Sequence, residues 1–490
     1  MGNTQTLVVG SGVGGLTMAL LLARAGKNVT LVEKQPEIGG YLRRFIRKEM
    51  YYDTGFHFSG GFQGVLGQML QILQIDDLVT GSPISNTIVL KETGHAIYLP
   101  PSCGYDGVCD ILCGHFPNEK NGLKNLFAAG RDIWENHSMT DLTNLIPPRF
   151  KISRYDTTTV QEYCREQGLS AEAETASCSF ATCHGSPPSD APMSFHADVG
   201  YCLYDSLARP HDGGDSIIRA FKREGAKFGI TIRTNANLLP FSDPDSSGCC
   251  REARFSDGTL IPVDDVFFTI HPRAVSDLLP EKAKTAQFQR RILRMQETTS
   301  FFCVYYRVDD SIEVPEGMIS CFSKNDLDSI LRGTGEYSTG YLIERKKSIN
   351  GQSGITVTAF RTMPVLTPSA SLDHRERLHD PVYQEFKTRI TEEITRDLLE
   401  IRPELKGHLH VVDTGSPLTC LDYDPPTGSA YGVRCVCGQS RLCGTLPVRN
   451  FHFAGQSASG PGIMGTMITS FIVFKNAMGN EAYRRAVTDA

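Results

Sequence analysis

Thr6–Val9 is a short, apolar, β-branched run, the pattern of a strand buried on both faces of a parallel sheet. Leu16 to Ala25, closed by Gly26, predicts a helix, and Asn28–Val32, ending on Glu33, predicts a second strand. Together they form a βαβ unit of about 30 residues. Further on, Ser216–Phe228 reads as a helix and Ile230–Arg233 as a strand. Phe301–Tyr306 reads as a strand and Val382–Leu399 as a charged helix. Near the C-terminus, Asn450–Phe453 reads as a strand running into Gly455, and Thr466–Ala477 as a helix. Between residues 86 and 209 prolines recur, at Pro100-Pro101, Pro147-Pro148 and Pro187-Pro188, so long regular elements are not expected there.

The first strand-to-helix turn reads Gly10-Ser11-Gly12-Val13-Gly14-Gly15. Gly10 permits the tight turn, Gly12 lets backbone approach a pyrophosphate, and Gly15 lets helix and strand pack closely. The helix N-terminus offers free N–H groups to the phosphates. Glu33 follows 18 residues after Gly15, where an acid can bind ribose hydroxyls. Strand, helix and acid in that order predict dinucleotide binding. A second strand, glycine turn and helix start, Gly460-Pro461-Gly462-Ile463-Met464-Gly465, lies near the C-terminus.

Composition narrows the class. The 490 residues allow two to four domains, and 49 Lys plus Arg against 55 Asp plus Glu leave a net charge of −6. No basic excess exists to neutralise a nucleic-acid backbone, so nucleic acid is not expected as a partner. No apolar run reaches the ~18–20 residues that span a bilayer. A secretory signal is not expected, because the first apolar stretch runs straight into the glycine turn. A cytoplasmic protein, soluble or membrane-associated at its periphery, is the expectation. The start Met1 to Thr6 fits the loose N-myristoylation pattern, but a strand begins almost at once and the match is read as accidental. Fifteen cysteines show no paired C-x₂-C arrangement at zinc spacing, so reduced structural thiols and no metal are expected. A role for the clustered cysteines stays open, as does oligomeric state.

After Glu33 come Lys34, the pair Gly39-Gly40, Arg43, Arg44 and the run Asp53-Thr54-Gly55-Phe56-His57-Phe58. These motifs resemble the FAD-binding opening of the phytoene desaturase, carotenoid isomerase and retinol saturase family, in the amine oxidase superfamily. Pro210-His211-Asp212-Gly213-Gly214-Asp215, Asp413–Thr419 and Gly428–Gly432 resemble further segments of the same family, so the likeness covers about half the chain. It implies an α/β fold: a doubly wound Rossmann-type FAD-binding domain, discontinuous in sequence, with an inserted mixed α+β substrate domain. The FAD-binding domain would take residues 1–85, 210–290 and 405–490, and the substrate domain 86–209 and 291–404. Cofactor contacts are expected from Gly10, Ser11, Gly12, Val13, Gly14, Gly15, Glu33, Lys34, Gly40, Arg43, Arg44, Gly55, His57, Leu238, Gly455, Gln456, Gly462, Ile463 and Met464. Arg43 or Arg44 would supply charge to the diphosphate, and Leu238 would pack on the adenine. Gln456 departs from the pattern, since many members carry an acid there; an amide would then meet the ribityl hydroxyls.

The resemblance implies non-covalent FAD, with NAD(P)H as a candidate electron donor, and a reaction at C=C bonds of a hydrophobic polyene or isoprenoid. Saturation, desaturation and cis–trans isomerisation all stay open. His57 and Tyr431 are the candidate catalytic residues. His57 would donate to a flavin carbonyl or tune the ring, or serve as a satisfied structural group; Tyr431 would line the substrate tunnel or simply pack. Asp53 reads as a turn and cap residue rather than a base. No G-x-S-x-G or H-E-x-x-H motif occurs, and no C-x-x-C follows Gly39-Gly40, which disfavours hydrolysis and thiol–disulfide exchange. Because such substrates live in membranes, peripheral membrane contact is an expectation by analogy. Two alternatives remain: a flavin amine oxidase releasing hydrogen peroxide, and a non-catalytic FAD-binding escort of prenylated cargo.

Overall fold

The structure, a computed structural model, describes residues 5–136, 142, 153–314, 317–334, 340–347, 353–361, 367–423, 426–439 and 441–488. Residues Met1 to Thr4 of the myristoylation-like start and Pro147-Pro148 lie outside them. In chain order, the strands that build the two large sheets and a hairpin are β1 (Gln5–Val9), β2 (Val29–Val32), β3 (Arg44–Arg47), β4 (Met50–Asp53), β5 (Ser85–Leu90) and β6 (His95–Leu99). Next come β7 (Thr231–Arg233), β8 (Leu260–Phe268), β9 (Ser300–Val308), β10 (Gly317–Phe322), β11 (Gly340–Lys347) and β12 (Ser353–Arg361). The last are β13 (Leu409–Gly415), β14 (Gly444–Thr445) and β15 (Phe451–Phe453). The helices that position the site are α1 (Val13–Arg24), α2 (Lys120–Asn136), α3 (Met193–Ser206), α4 (Asp215–Lys227), α5 (Pro381–Ile401) and α6 (Gly462–Thr488).

The first sheet runs β14-β15-β8-β1-β2-β7, with the short strand Glu252–Arg254 paired antiparallel to β8 off this path. Five of these strands, β15, β8, β1, β2 and β7, are mutually parallel, while β14 pairs antiparallel at one edge. Strand alternation sends neighbouring residues to opposite faces. Val8 and Leu31 join the helical layer made by α1, α4 and α6, whereas Leu7, Val9 and Val32 join a second core with Phe268 and Phe451. The sheet is therefore covered on both sides, a doubly wound Rossmann-type arrangement. α1 is buried from Gly14 to Ala23 because it lies between the sheet and α6, where Ser470 Oγ donates to the Gly14 carbonyl at 3.0 Å. α6 is interrupted at Gly479 (φ 83°), two residues beyond the predicted end of its first run.

The second sheet runs β13-β9-β12-β11-β10-β5-β6 and is antiparallel apart from the parallel pair β5–β10. On β9, Phe302, Val304 and Tyr306 pack on α5 through Phe386, Ile390 and Ile394. Phe301, Cys303 and Tyr305, the alternate residues, face the other way.

Two expectations need correction. Leu409–Gly415 falls within the 405–490 stretch expected to belong to the cofactor domain, yet it forms the edge of the second sheet, paired with β9. The chain stays with this sheet through the helix Pro417–Tyr423, whose Leu418 is buried with Phe302, Tyr383 and Phe386. The proline-rich region also holds long helices: Gly104–His115, the 17-residue α2 and the 14-residue α3. They occupy the proline-free intervals, with Pro100-Pro101 before the first and Pro192 at the N-cap of α3.

Candidate cofactor and substrate cavity

A cavity of about 1060 Å³ opens at the carboxyl ends of β1, β2 and β8 and extends beneath the second sheet. Pockets that bury a drug-sized molecule run about 300–1,000 Å³, so there is room for a dinucleotide and part of a second ligand.

Its first section is a backbone cradle. A Cβ on Gly15 would stand 1.8 Å from the Gly10 carbonyl oxygen, so only glycine lets α1 start this close to β1. A Cβ on Gly12 would meet nothing within 4 Å and would project into the open cavity. Gly40 approaches to where its Cβ would lie 3.2 Å from Gly12 Cα. Gly12 caps the start of α1 without a side chain, and the first turn holds no acidic residue, which leaves its N–H groups for an anion.

Charged groups frame the cradle. Glu33 Oε2 accepts from the Ser11 N–H at 3.0 Å and from Ser11 Oγ at 2.6 Å, while Oε1 accepts from the Gln35 N–H at 2.9 Å. The two arginines differ. Arg44 is held by Asp215, its Nε donating to Oδ2 at 2.8 Å and its backbone N–H to Oδ1 at 3.1 Å. Arg43 keeps a longer ion pair with Glu37, 3.6 Å, and its Nε is buried with no hydrogen-bond partner. A buried donor left unmet costs free energy, and phosphate oxygens would satisfy it. Uncapped N–H groups, the open space at Gly12 and this orphaned guanidinium nitrogen fit a dinucleotide diphosphate. Lys34, Ala236, Asn237, Leu238, Ile270 and Leu278 continue the wall beyond Glu33.

The second glycine turn meets the cradle from the far side. Gln456, Gly462, Ile463 and Met464 line the cavity at the start of α6. Gly455 (φ 106°) does not line it; a Cβ there would stand 2.9 Å from the Thr269 carbonyl oxygen, so its role is to seat β15 beside β8. Gly15 likewise packs rather than lines. Gly55 and His57 belong to a loop wedged between α6 and α3: a Cβ on Gly61 would come within 3.5 Å of Met464 Sδ, and one on Gly60 within 2.0 Å of the Cys202 carbonyl oxygen.

His57 lines the cavity, with Nδ1 3.7 Å from Asp53 Oδ2, and Arg209 Nη2 stands 3.6 Å from the same oxygen. Asp53 is buried at the end of β4. Tyr431 also lines the cavity, edge-on to Phe301 with ring centroids 5.6 Å apart. Its backbone N–H donates to Thr298 Oγ1 at 2.9 Å, which fixes the ring against β9.

Several lining groups went unrecognised in the sequence. His271 follows β8, with Nε2 3.0 Å from Glu297 Oε2; Arg273 Nε donates to Oε1 at 3.2 Å. Burial pushes the Glu297 carboxyl up, but His271 and Arg273 outweigh it and hold the group below the usual carboxylate range. Beyond Tyr431 the walls become apolar: Phe58, Trp134, Phe195, Val199 and Leu203 on one side, Phe301, Cys303 and Tyr305 on the other. The Cys202 and Tyr305 side chains are pushed well above their ordinary pKa values, chiefly by burial. Arg47 Nε donates to Asp413 Oδ2 at 2.7 Å, joining β3 to β13 at the rim. No expectation covers α3, because the proline-rich stretch that contains it reads as lacking long elements. Among the described residues no cluster is placed to hold a metal, and no helix is long and apolar enough to cross a membrane.

Comparison with known proteins matches the Rossmann-like fold. Residues 8–73 match the NAD(P)-binding Rossmann-like domain. The chain is 40% identical over 503 aligned residues to the 4,4'-diapolycopene oxygenase of Methylomonas sp, covering 95% of this chain and 96% of that protein. It is 22% identical over 529 aligned residues to the all-trans-retinol 13,14-reductase of Danio rerio, covering 94% and 84%. An oxidoreductase from Methanosarcina mazei shares the fold, with a TM-score of 0.68 at 15% identity over 96% of this chain and 100% of that one.

Proposed function

Since this chain belongs to the phytoene desaturase, carotenoid isomerase and retinol saturase-like family of FAD-dependent oxidoreductases, we propose that it binds FAD non-covalently and acts on C=C bonds of a hydrophobic polyene or isoprenoid. The observation that carries this reading is one cavity with two chemistries: a cradle of backbone N–H groups and Arg43 at one end, apolar and aromatic walls at the other. FAD in that cradle would supply hydride or electron-pair transfer at its N5.

The chain's own residues bind, orient and exclude water. Gly10 to Gly14, Gly40 and Arg43 take the diphosphate, with Arg44 acting through its ion pair to Asp215. Glu33 accepts from ribose hydroxyls while locking Ser11, and Lys34 and Leu238 close the adenosine end. Gln456, Gly462, Ile463 and Met464 would hold the ribityl chain and the ring edge, with Gly55 and His57 in the same cavity. Gly15 and Gly455 act indirectly, by setting how closely the strands and helices pack. His57 would hold the ring edge, and Tyr431 with Phe301 would line the substrate's path beside it.

Residues 1–85, 210–290 and 424–490 serve the cofactor in this reading, and 86–209 with 291–423 the substrate. NAD(P)H is the proposed electron donor, and a substrate drawn from a bilayer makes membrane contact peripheral. The test is a visible spectrum of the purified protein, then anaerobic titration with NADPH and NADH and turnover of several polyenes. Flavin bands bleached by a nicotinamide and a changed polyene are expected. A colourless protein that FAD cannot reconstitute would sink the proposal, and peroxide release with amines alone would replace it.

A further inference from the structure

Behind the cavity wall lies a buried polar cluster that neither the cofactor cradle nor the apolar chamber uses. Cys183 and Phe195 line the cavity, and each is followed by a histidine that does not. His184 Nε2 and His196 Nδ1 are 3.0 Å apart, and both rings are buried. Next to His196 is Cys178, whose sulfur stands 3.8 Å from that of Cys164. Both thiols are fully buried. Cys164 belongs to the helix Val160–Glu166 and Cys178 ends the helix Ala171–Ser177, so the contact joins two elements.

The surroundings make the two sulfurs unequal. The Ser186 N–H donates to His184 Nδ1 at 3.1 Å, while burial, with His196 and Arg441, holds His184 well below the ordinary imidazole value. A neutral ring that accepts at Nδ1 carries its hydrogen on Nε2, so His184 donates to His196 Nδ1. The Cys164 thiol, donating to Cys178, holds Cys178 well below the ordinary thiol value against the effect of burial, and His196 adds to that pull. The same contact pushes Cys164 up. Thiolate character is what lets a cysteine attack a peroxide. One sulfur is thus the nucleophile, and the other stands where it can resolve the product. A disulfide requires only that the sulfurs close from 3.8 Å to about 2.05 Å.

We propose that Cys164 and Cys178 are a redox modification site, oxidised by hydrogen peroxide to a reversible disulfide. The Cys178 thiolate attacks one peroxide oxygen; the O–O bond breaks, an S–O bond forms and hydroxide leaves. Cys164 then attacks the Cys178 sulfur. The S–S bond forms, the S–O bond breaks, and the oxygen leaves as water with the Cys164 proton. Each sulfur gives up one electron and the peroxide takes both. This chemistry involves neither flavin nor substrate, but the segment that follows Cys178 reaches the cavity: a Cβ on Gly185 would stand 2.8 Å from Tyr431 Cδ2.

The purified protein would be reduced with a thiol, freed of it, treated with hydrogen peroxide, alkylated and digested without reduction. Mass spectrometry should find the Cys164 and Cys178 peptides linked, and dithiothreitol should release them. Cys321, a buried thiol pushed up to about 12, should oxidise about tenfold or more slowly. In Cys164→Ser the Cys178 sulfenic acid has no resolving thiol, so a dimedone probe should label it. Cys178→Ser should leave Cys164 reduced. Absence of the linked peptide from the folded, peroxide-treated protein would overturn the proposal. A link that forms only in urea, or no faster than Cys321 oxidises, would overturn it as well.

Discussion

Ser11 and Glu33 are joined twice: Glu33 Oε2 takes both the Ser11 hydroxyl, at 2.6 Å, and its backbone N–H, at 3.0 Å. The contact ties the middle of the glycine turn to the end of β2, so the carboxylate holds the phosphate loop in shape as well as facing the cavity. Glu33→Gln should therefore weaken FAD binding about 10-fold or more and lower the melting temperature, since charge-assisted hydrogen bonds contribute about 1.5–3 kcal/mol. Ser11→Ala keeps the carboxylate and should cost only about 1 kcal/mol of stability. Flavin fluorescence titration beside thermal melts separates the two effects.

Arg43 offers a change of opposite signs. Its Nε is buried without a partner, so Arg43→Met should leave the cofactor-free protein as stable or more stable. The same variant should lose about 10- to 100-fold in FAD affinity, the range for a charged hydrogen bond. A parallel fall in both quantities would mean that Arg43 is structural.

Gly60 lets the loop that carries His57 lie flat on α3. With an added Cβ 2.0 Å from the Cys202 carbonyl oxygen, Gly60→Ala must push loop and helix apart. We expect a loss of about 1–3 kcal/mol, typical of overpacking, and weaker retention of FAD in denaturant melts. Gly94→Ala, where a Cβ meets nothing within 4 Å but φ is +74°, provides the control for backbone strain alone.

Glu174, on the helix Ala171–Ser177, makes stability depend on pH. Burial, aided by Cys178 and Asp328 and opposed by Arg165, raises its carboxyl from 4.5 to about 8. Between those values the native protein keeps a proton that the unfolded chain has released. The stabilisation linked to that proton is whole below the unfolded pKa and fades as pH rises through the native one. Glu174→Gln should flatten that decline, as read by urea melts across the window. An unchanged slope would assign it to other groups.

Much of the cofactor half was legible because it is local. Thr6–Val9, the glycine turn, α1 and Glu33 lie within one βαβ unit, where period, turn chemistry and the reach of one carboxylate decide the outcome over about 30 residues. The proline-rich region misled the reading because proline marks where helices stop; it says nothing about the intervals between, and α2 and α3 fill two of them.

Local chemistry in the sequence thus determined a doubly wound Rossmann-type domain, the two glycine turns that line one cavity, and the acid tied to the first. Tertiary structure decided which arginine is spent on Asp215 and which keeps a buried donor, and placed Leu409–Gly415 beside β9 rather than in the first sheet. It also turned Phe195, Asp198, Val199 and Cys202 toward the cavity. The physical reason is range. A turn or a helix start is settled by neighbours in the chain, whereas burial, ion pairing and the facing of a wall depend on groups brought together from more than a hundred residues away.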